Sequence, residues 1–239
     1  MDVTGLGKAG LYPSLYLSSF RPILVLKGLK TQEKRSYLRS ALVVVQFCLA
    51  LGMIVSTLVV VDQLMYINNK DIGFSKDHIV LVDMNRESGE LYRQMKEELL
   101  TKGNILGVTG SGLRLCINFH HWGFKAQVDT GVVSLTPSNV HVDYDYFEVY
   151  GIELKEGRSF SKDYAQDNGL SFIINESFAA ELGYDDPIGQ KVGHSWYPND
   201  SLGTIVGVTE DFNFNSLHYK VNTLSIVIHD VWSYSEMSI

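Results

Sequence analysis

Ala41–Val61, ALVVVQFCLALGMIVSTLVVV, is a run of 21 residues without a charge, and its reading decides how the rest of the chain is organised. An α-helix of this length rises roughly 30 Å, the thickness of a bilayer's hydrocarbon layer. Only Gln46, Ser56 and Thr57 interrupt the apolar surface. A buried core helix is the competing reading, because β-branched residues such as Val43, Val44 and Val45 also fill soluble interiors. Uncharged runs above about 18 residues favour the membrane. A cleaved signal peptide fits worse: its apolar core would sit near the N-terminus and end in small residues, whereas this run exits through Asp62, Gln63 and Leu64. The span is placed from Ala41 to Val61.

The two flanks have opposite charge. Residues 1–40 hold seven basic side chains, Lys8, Arg21, Lys27, Lys30, Lys34, Arg35 and Arg39, against Asp2 and Glu33, a net of +5. From Asp62 onward 13 basic and 25 acidic residues give −12. Short basic flanks stay in the cytoplasm, which places the N-terminal arm inside and residues 75–239 outside as one extracytoplasmic domain. The whole-chain averages, 45% hydrophobic residues and a mean hydropathy of +0.02, blend an oily span with a polar domain. The acidity of the outer part argues against nucleic acid as a partner.

Upstream, residues 11–29, LYPSLYLSSFRPILVLKGL, are semi-apolar but broken by Pro13 and Pro22 and charged at Arg21 and Lys27, so they cannot span alone. They fit either an interfacial segment with Tyr12 and Tyr16 at headgroup depth or the frayed end of an earlier membrane helix. Residues 1–40 are therefore read as a basic cytoplasmic or interfacial linker.

Downstream, Asp62–Asn69 lacks Gly and Pro and continues the helix as a stalk to about residue 70, with Gly73 beyond it. His78–Met84 reads as a strand. Ser88 suits an N-cap, Leu91, Met95 and Leu99 repeat on one helical face, and Gly103 follows the end. Ile105–Leu113 reads as a second strand. Between Ile117 and Val142, Phe124, Ala126 and Val128 alternate with polar neighbours before Asp129, Thr130 and Gly131, a hairpin pattern. Ser171–Ile174 then reads as a strand, Glu176–Leu182 as a helix capped by Asn175 and stopped by Gly183, and Thr204–Val208 and Leu224–Ile228 as strands. The fold class is an α+β extracytoplasmic domain, a strand-helix-strand core with a β-rich insertion, preceded by one transmembrane α-helix.

Motifs for chemistry are absent. Gly5, Gly7 and Lys8 lack the spacing and hydroxyl of a phosphate loop, and Gly110, Ser111 and Gly112 lack that of a nucleophile elbow and suit a turn. His120 and His121 are adjacent and would point to opposite faces of a strand, which does not make a metal site. Asp143 with Asp145, and Asp185 with Asp186 before Pro187, match turns and strand ends. Cys48 in the span and Cys116 outside cannot pair, and Cys116 beside Leu115 and Ile117 reads as a small buried apolar residue. No catalytic residue, cofactor or metal is expected.

Four blocks, in order, resemble the MacB/FtsX-like ABC transporter permeases. They are FIINESFAAELGYDDPIGQKV (Phe172–Val192), VDYDYFEVYGIELKEGRSFS (Val142–Ser161), GTIVGVTEDFNFNSLH (Gly203–His218), and YPSLYLSSFRPILVLKG (Tyr12–Gly28) followed by the span and NNKDIGF (Asn68–Phe74). The resemblance implies a permease subunit coupling a cytoplasmic ATPase to a MacB-like periplasmic domain, for export or extraction of peptide, lipoprotein, drug or toxin. It implies a bacterial inner membrane location with a cytoplasmic N-terminus. The implied partners are the ABC ATPase, the remaining permease helices or second permease half, and an optional periplasmic adaptor. Gly151, Gly157, Gly183 and Pro187 read as turn formers in those blocks. With one span, the chain is expected to be a second-half fragment: linker, first helix and periplasmic domain. The alternative is a stand-alone, single-span receptor or enzyme with a polar pocket near His120, His121 and Asp143.

Overall fold

The structure, a computed structural model, describes residues 33–239 apart from 118, 129–130, 199–200, 217–219 and 230–231, without the side chains at 33–36, 38 and 86. The cytoplasmic-linker reading of residues 1–40 and the Asp129–Thr130 turn fall largely outside them. Two compact units divide at residue 70, and each is described by itself.

The first unit holds helix α1, Glu33–Asn69. Its 37 residues rise about 55 Å. Ala41 and Val61 both lie inside it, exposed. Residues Arg39–Asn69 are long and apolar enough to cross a membrane and none of that surface is buried. Two of the three polar interruptions satisfy themselves: Ser56 Oγ donates to the Gly52 carbonyl at 2.8 Å and Thr57 Oγ1 to that of Met53 at 2.8 Å. Such back-bonding leaves neither of these two hydroxyls in need of an outside partner.

In the second unit, strand β1, Leu81–Asp83, is followed by short helix α2, Arg86–Glu90, and helix α3, Tyr92–Leu100, then β2, Thr109–Ser111. The final strand, β12, Glu236–Ser238, sits between them in an antiparallel sheet ordered β1-β12-β2. Val80 and Ile239 exchange two backbone hydrogen bonds, 2.9 and 3.0 Å, at its end. Met84, Tyr92, Val108 and Met237 form its core, with Met95 and Leu99 packed on them.

Several sequence expectations change here. The first strand is three residues, because His78 takes φ 64° and breaks the extended run. The cap is Asn85: its Oδ1 accepts from Ser88 N and Ser88 Oγ accepts from Asn85 N, both at 2.8 Å, so Ser88 is the third position of a capping box. The buried helical face carries Tyr92 and Lys96, while Leu91 is exposed. Gly110 and Gly112 serve packing instead of a turn: a Cβ on Gly110 would lie 2.7 Å from Tyr234 Cδ2, and one on Gly112 2.1 Å from His141 Cε1.

The larger sheet is built from β3, His120–His121, β4, Phe124–Val128, β5, Gly131–Leu135, β6, Ser138–His141, β7, Leu154–Gly157, β8, Ser171–Asn175, β9, Lys191–His194, β10, Gly203–Thr209, and β11, Leu224–Val227. Their order is β3-β6-β11-β8-β10-β9-β4-β5, with β7 on β10. Pairs β8/β10 and β6/β11 are parallel, the rest antiparallel. Period-two alternation sends β8 to two cores. Ile173 joins a layer with Tyr146, Phe147 and Tyr150 of helix α4, Tyr146–Tyr150; Phe172 and Ile174 join another with Phe178 and Leu182 of helix α5, Glu176–Leu182. Helices therefore cover both faces of the sheet, and β8 is buried throughout.

Helix α5 follows the sequence closely. Asn175 Oδ1 accepts from Phe178 N at 3.2 Å, and Gly183 takes φ 71° at the stop. The same Oδ1 accepts from Leu224 N at 2.8 Å, so one cap also ties two strands together. Gly151 and Gly157 take positive φ, as the bends in their block require.

Candidate functional site

Tyr92 and Lys96 stand one turn apart on α3 and face the segment that leaves β6. There Asp143 N donates to the Gly110 carbonyl at 2.8 Å, which aims the Asp143 carboxylate back at α3. Asp143 Oδ2 accepts from Tyr92 Oη and from Lys96 Nζ, both at 2.5 Å, and its Oδ1 accepts from Tyr144 N at 2.8 Å. Lys96 Nζ also pairs with Asp145 Oδ2. Lys96 and Asp143 are buried. Burial alone would lower the Lys96 pKa, but the bonds to Asp143 and Asp145 overcome it and hold the value above the ordinary range. Burial, then the Asp143 charge, raise the Tyr92 hydroxyl far beyond its usual value. The group is thus a fixed ammonium between two carboxylates, a tie between α3 and the larger sheet. It lines a cleft of about 820 Å³ that also takes in Lys162, Trp232 and Tyr234.

Trp232 leads from the cleft into an aromatic cluster holding all three tryptophans of the chain. Trp122 meets Trp232 edge-on at 5.3 Å and Trp196 at 5.8 Å. His194 stacks on Trp196 at 4.3 Å and His229 on Trp232 at 4.2 Å. His194 is fully buried; that burial, with His229 nearby, lowers its pKa to about 4 and keeps the ring neutral. His141, which meets Trp232 at 5.2 Å, is likewise lowered by burial.

Of the candidate polar residues singled out by sequence, the Asp143 and Asp145 pair reaches the cleft lining. His120 and His121 lie on edge strand β3, where His120 stacks on Trp122 and His121 Nδ1 is 3.3 Å from the Thr136 carbonyl oxygen. Asp186 serves a turn, its Oδ1 accepting from Ile188 N at 3.3 Å. Cys116 is exposed with φ 68°, which corrects the expectation of a buried apolar residue: Leu115 points inward and the backbone turns the next side chain out. Among the described residues no group of three His, Cys, Asp or Glu could hold a metal ion. Sequence reasoning missed Lys96; Tyr-x-x-x-Lys on one helical face opposite Asp-x-Asp was the available signal.

Residues 40–237 match the family model of the MacB-like periplasmic core domain. The chain belongs to that family. The MacB-like domain is a domain of ABC transporter permeases, here with one candidate transmembrane helix ahead of it. Among solved structures it resembles the periplasmic region of MacB from Actinobacillus actinomycetemcomitans, at 17% identity over 70% of this chain and 75% of that one, with a TM-score of 0.47. It also resembles the extracellular domain of the noncanonic ABC-type transporter YknZ from Gram-positive bacteria, at 15% identity over 67% and 82%, with a TM-score of 0.44. No curated protein matches the chain. Within the MacB-like domain, the block Phe172–Val192 supplies β8, α5 and the start of β9, and Val142–Ser161 supplies the Asp143–Asp145 tie and α4.

Proposed function

We propose that this chain is a permease component of an ABC transporter that couples a cytoplasmic ATPase to its extracytoplasmic domain. α1 would cross the bacterial inner membrane from Ala41 to Val61, with residues 1–40 in the cytoplasm and residues 75–239 in the periplasm. The substrates would be peptides, lipoproteins, drugs or toxins, and the partners the ATPase, further permease helices and an optional periplasmic adaptor. The observation that carries this reading is a MacB-like domain directly preceded by an apolar helix whose flanks differ in charge, +5 before the span and −12 after it. The buried Lys96 tie supports a mechanical role, because it binds a helix of the small sheet to the large one without leaving a reactive group.

Thiol labelling tests the orientation. Cys116 is exposed on the domain and Cys48 lies within the span. Partial desolvation by its neighbours raises the pKa of the exposed Cys116 thiol, so labelling belongs at mildly alkaline pH. A membrane-impermeant maleimide should modify residue 116 in bacterial cells with a permeabilised outer membrane, and modification only after inner-membrane lysis would reverse the topology.

A further inference from the structure

The larger sheet ends on two unlike edges. On one side is β3, two residues long. On the other is β5, five residues long, which pairs only with β4, in the register Phe124↔Leu135 to Val128↔Gly131. Among the described residues no hydrogen bond reaches the outer backbone of β5 from elsewhere in the chain. Exposed edges are normally blunted by charge, proline or a bulge. β5 has none: it reads GVVSL, its ladder is unbroken, and no Asp, Glu, Lys or Arg occurs from Thr130 to Val142. Lys125, opposite Ser134 on β4, sends its ammonium to the Tyr197 carbonyl at 3.2 Å, on the side of β9.

We propose that the β5 edge is a docking site for an extended, uncharged peptide segment of another polypeptide, which adds a strand to the sheet. A row of free N–H and C=O groups at strand spacing is matched only by another extended backbone. Side-chain preference follows from the pleat: Val133 and Leu135 pack on the core beneath α5, whereas Val132 and Ser134 are exposed. Alternate residues of the incoming strand would lie beside Val133 and Leu135, a position that suits β-branched side chains. A second copy of this chain is the less suitable occupant. Residues 71–239 carry a net −12, so two copies repel, whereas an uncharged segment meets no such barrier. This inference does not depend on the orientation or the transport reading.

The test uses the full chain in detergent and a dye-labelled, end-capped peptide, Thr-Val-Thr-Val-Ser-Val-Thr, followed by fluorescence anisotropy. Saturable binding is expected. N-methylation of alternate amides, which leaves the side chains in place, should weaken it at least about tenfold, the equivalent of one or two ladder hydrogen bonds. Val132→Lys and Ser134→Lys, both at exposed positions, should do the same with an unchanged thermal melt. Absence of binding by the parent peptide, or equal binding by the N-methylated one, overturns the proposal. Concentration-dependent dimerisation without peptide that Val132→Lys abolishes also overturns it, by giving the edge to a second copy.

Discussion

Arg158 holds Asp167 in a fork: Nη1 donates to Oδ2 at 2.7 Å and Nη2 to Oδ1 at 2.9 Å. The carboxylate is fully buried and also accepts from Ser161 N at 2.9 Å and Ser171 Oγ at 2.6 Å, so it pins the loop before β8 to the strand itself. Asp167→Ala should cost about 2 kcal/mol, less than a wholly buried pair because Arg158 is partly exposed, as read by urea denaturation.

The same pair sets acid stability. Burial alone would raise the Asp167 pKa, but Arg158 and the serine bonds overcome it and leave it below the usual carboxylate range. A depressed pKa gives stability that is present above the unfolded value, about 4, and is lost as pH falls through the folded one. Asp167→Asn should flatten the stability profile below about pH 4. An unchanged slope would remove this residue from the account.

The Lys96 tie acts at the other end of the scale. Its raised pKa means that the contribution is complete below the unfolded value, about 10.4, and disappears as pH climbs through the folded one. Lys96→Met leaves Asp143 buried without its ammonium and should destabilise the domain by about 3 kcal/mol. Combining it with Asp143→Asn should recover part of that loss, and a double-mutant cycle measures the coupling.

His194 predicts a third pH dependence, between the two. A buried imidazole with pKa about 4 must stay neutral in the folded state, so the unfolded state takes up protons first as pH drops below about 6.5. Stability should fall progressively from there to about pH 4, and His194→Phe should reduce that slope, leaving the share that His141 contributes. Tryptophan fluorescence follows it, since Trp122 and Trp196 both touch the ring.

Helix α5 was legible because its signals are local: Asn175, a seven-residue helix that buries Phe178 and Leu182, and Gly183 lie within nine residues of one another. β12 was not, because Glu236–Ser238 is a three-residue strand whose partners lie more than 120 residues earlier. Lys96 escaped for a related reason. A lysine on a helix reads as a solvated face until the fold brings Asp143 and Asp145 against it. Cys116 was misread because composition around a residue says little about which way the backbone turns it. The membrane-length helix needed no partner to be seen; apolar length suffices.

The pairing of Val80 with Ile239 has a mechanical corollary. Strands β1 and β12 run antiparallel, so Val80 and Ile239 sit at the same end of their ladder. Tension applied at those two points does not shear the three pairs together. It opens them in succession, Leu81 from Ser238, then Val82 from Met237, then Asp83 from Glu236, like a zip. Arg114 lies across the bottom of that zip, bonded to both Asp83 and Glu236, and is the stitch at which the tear would halt.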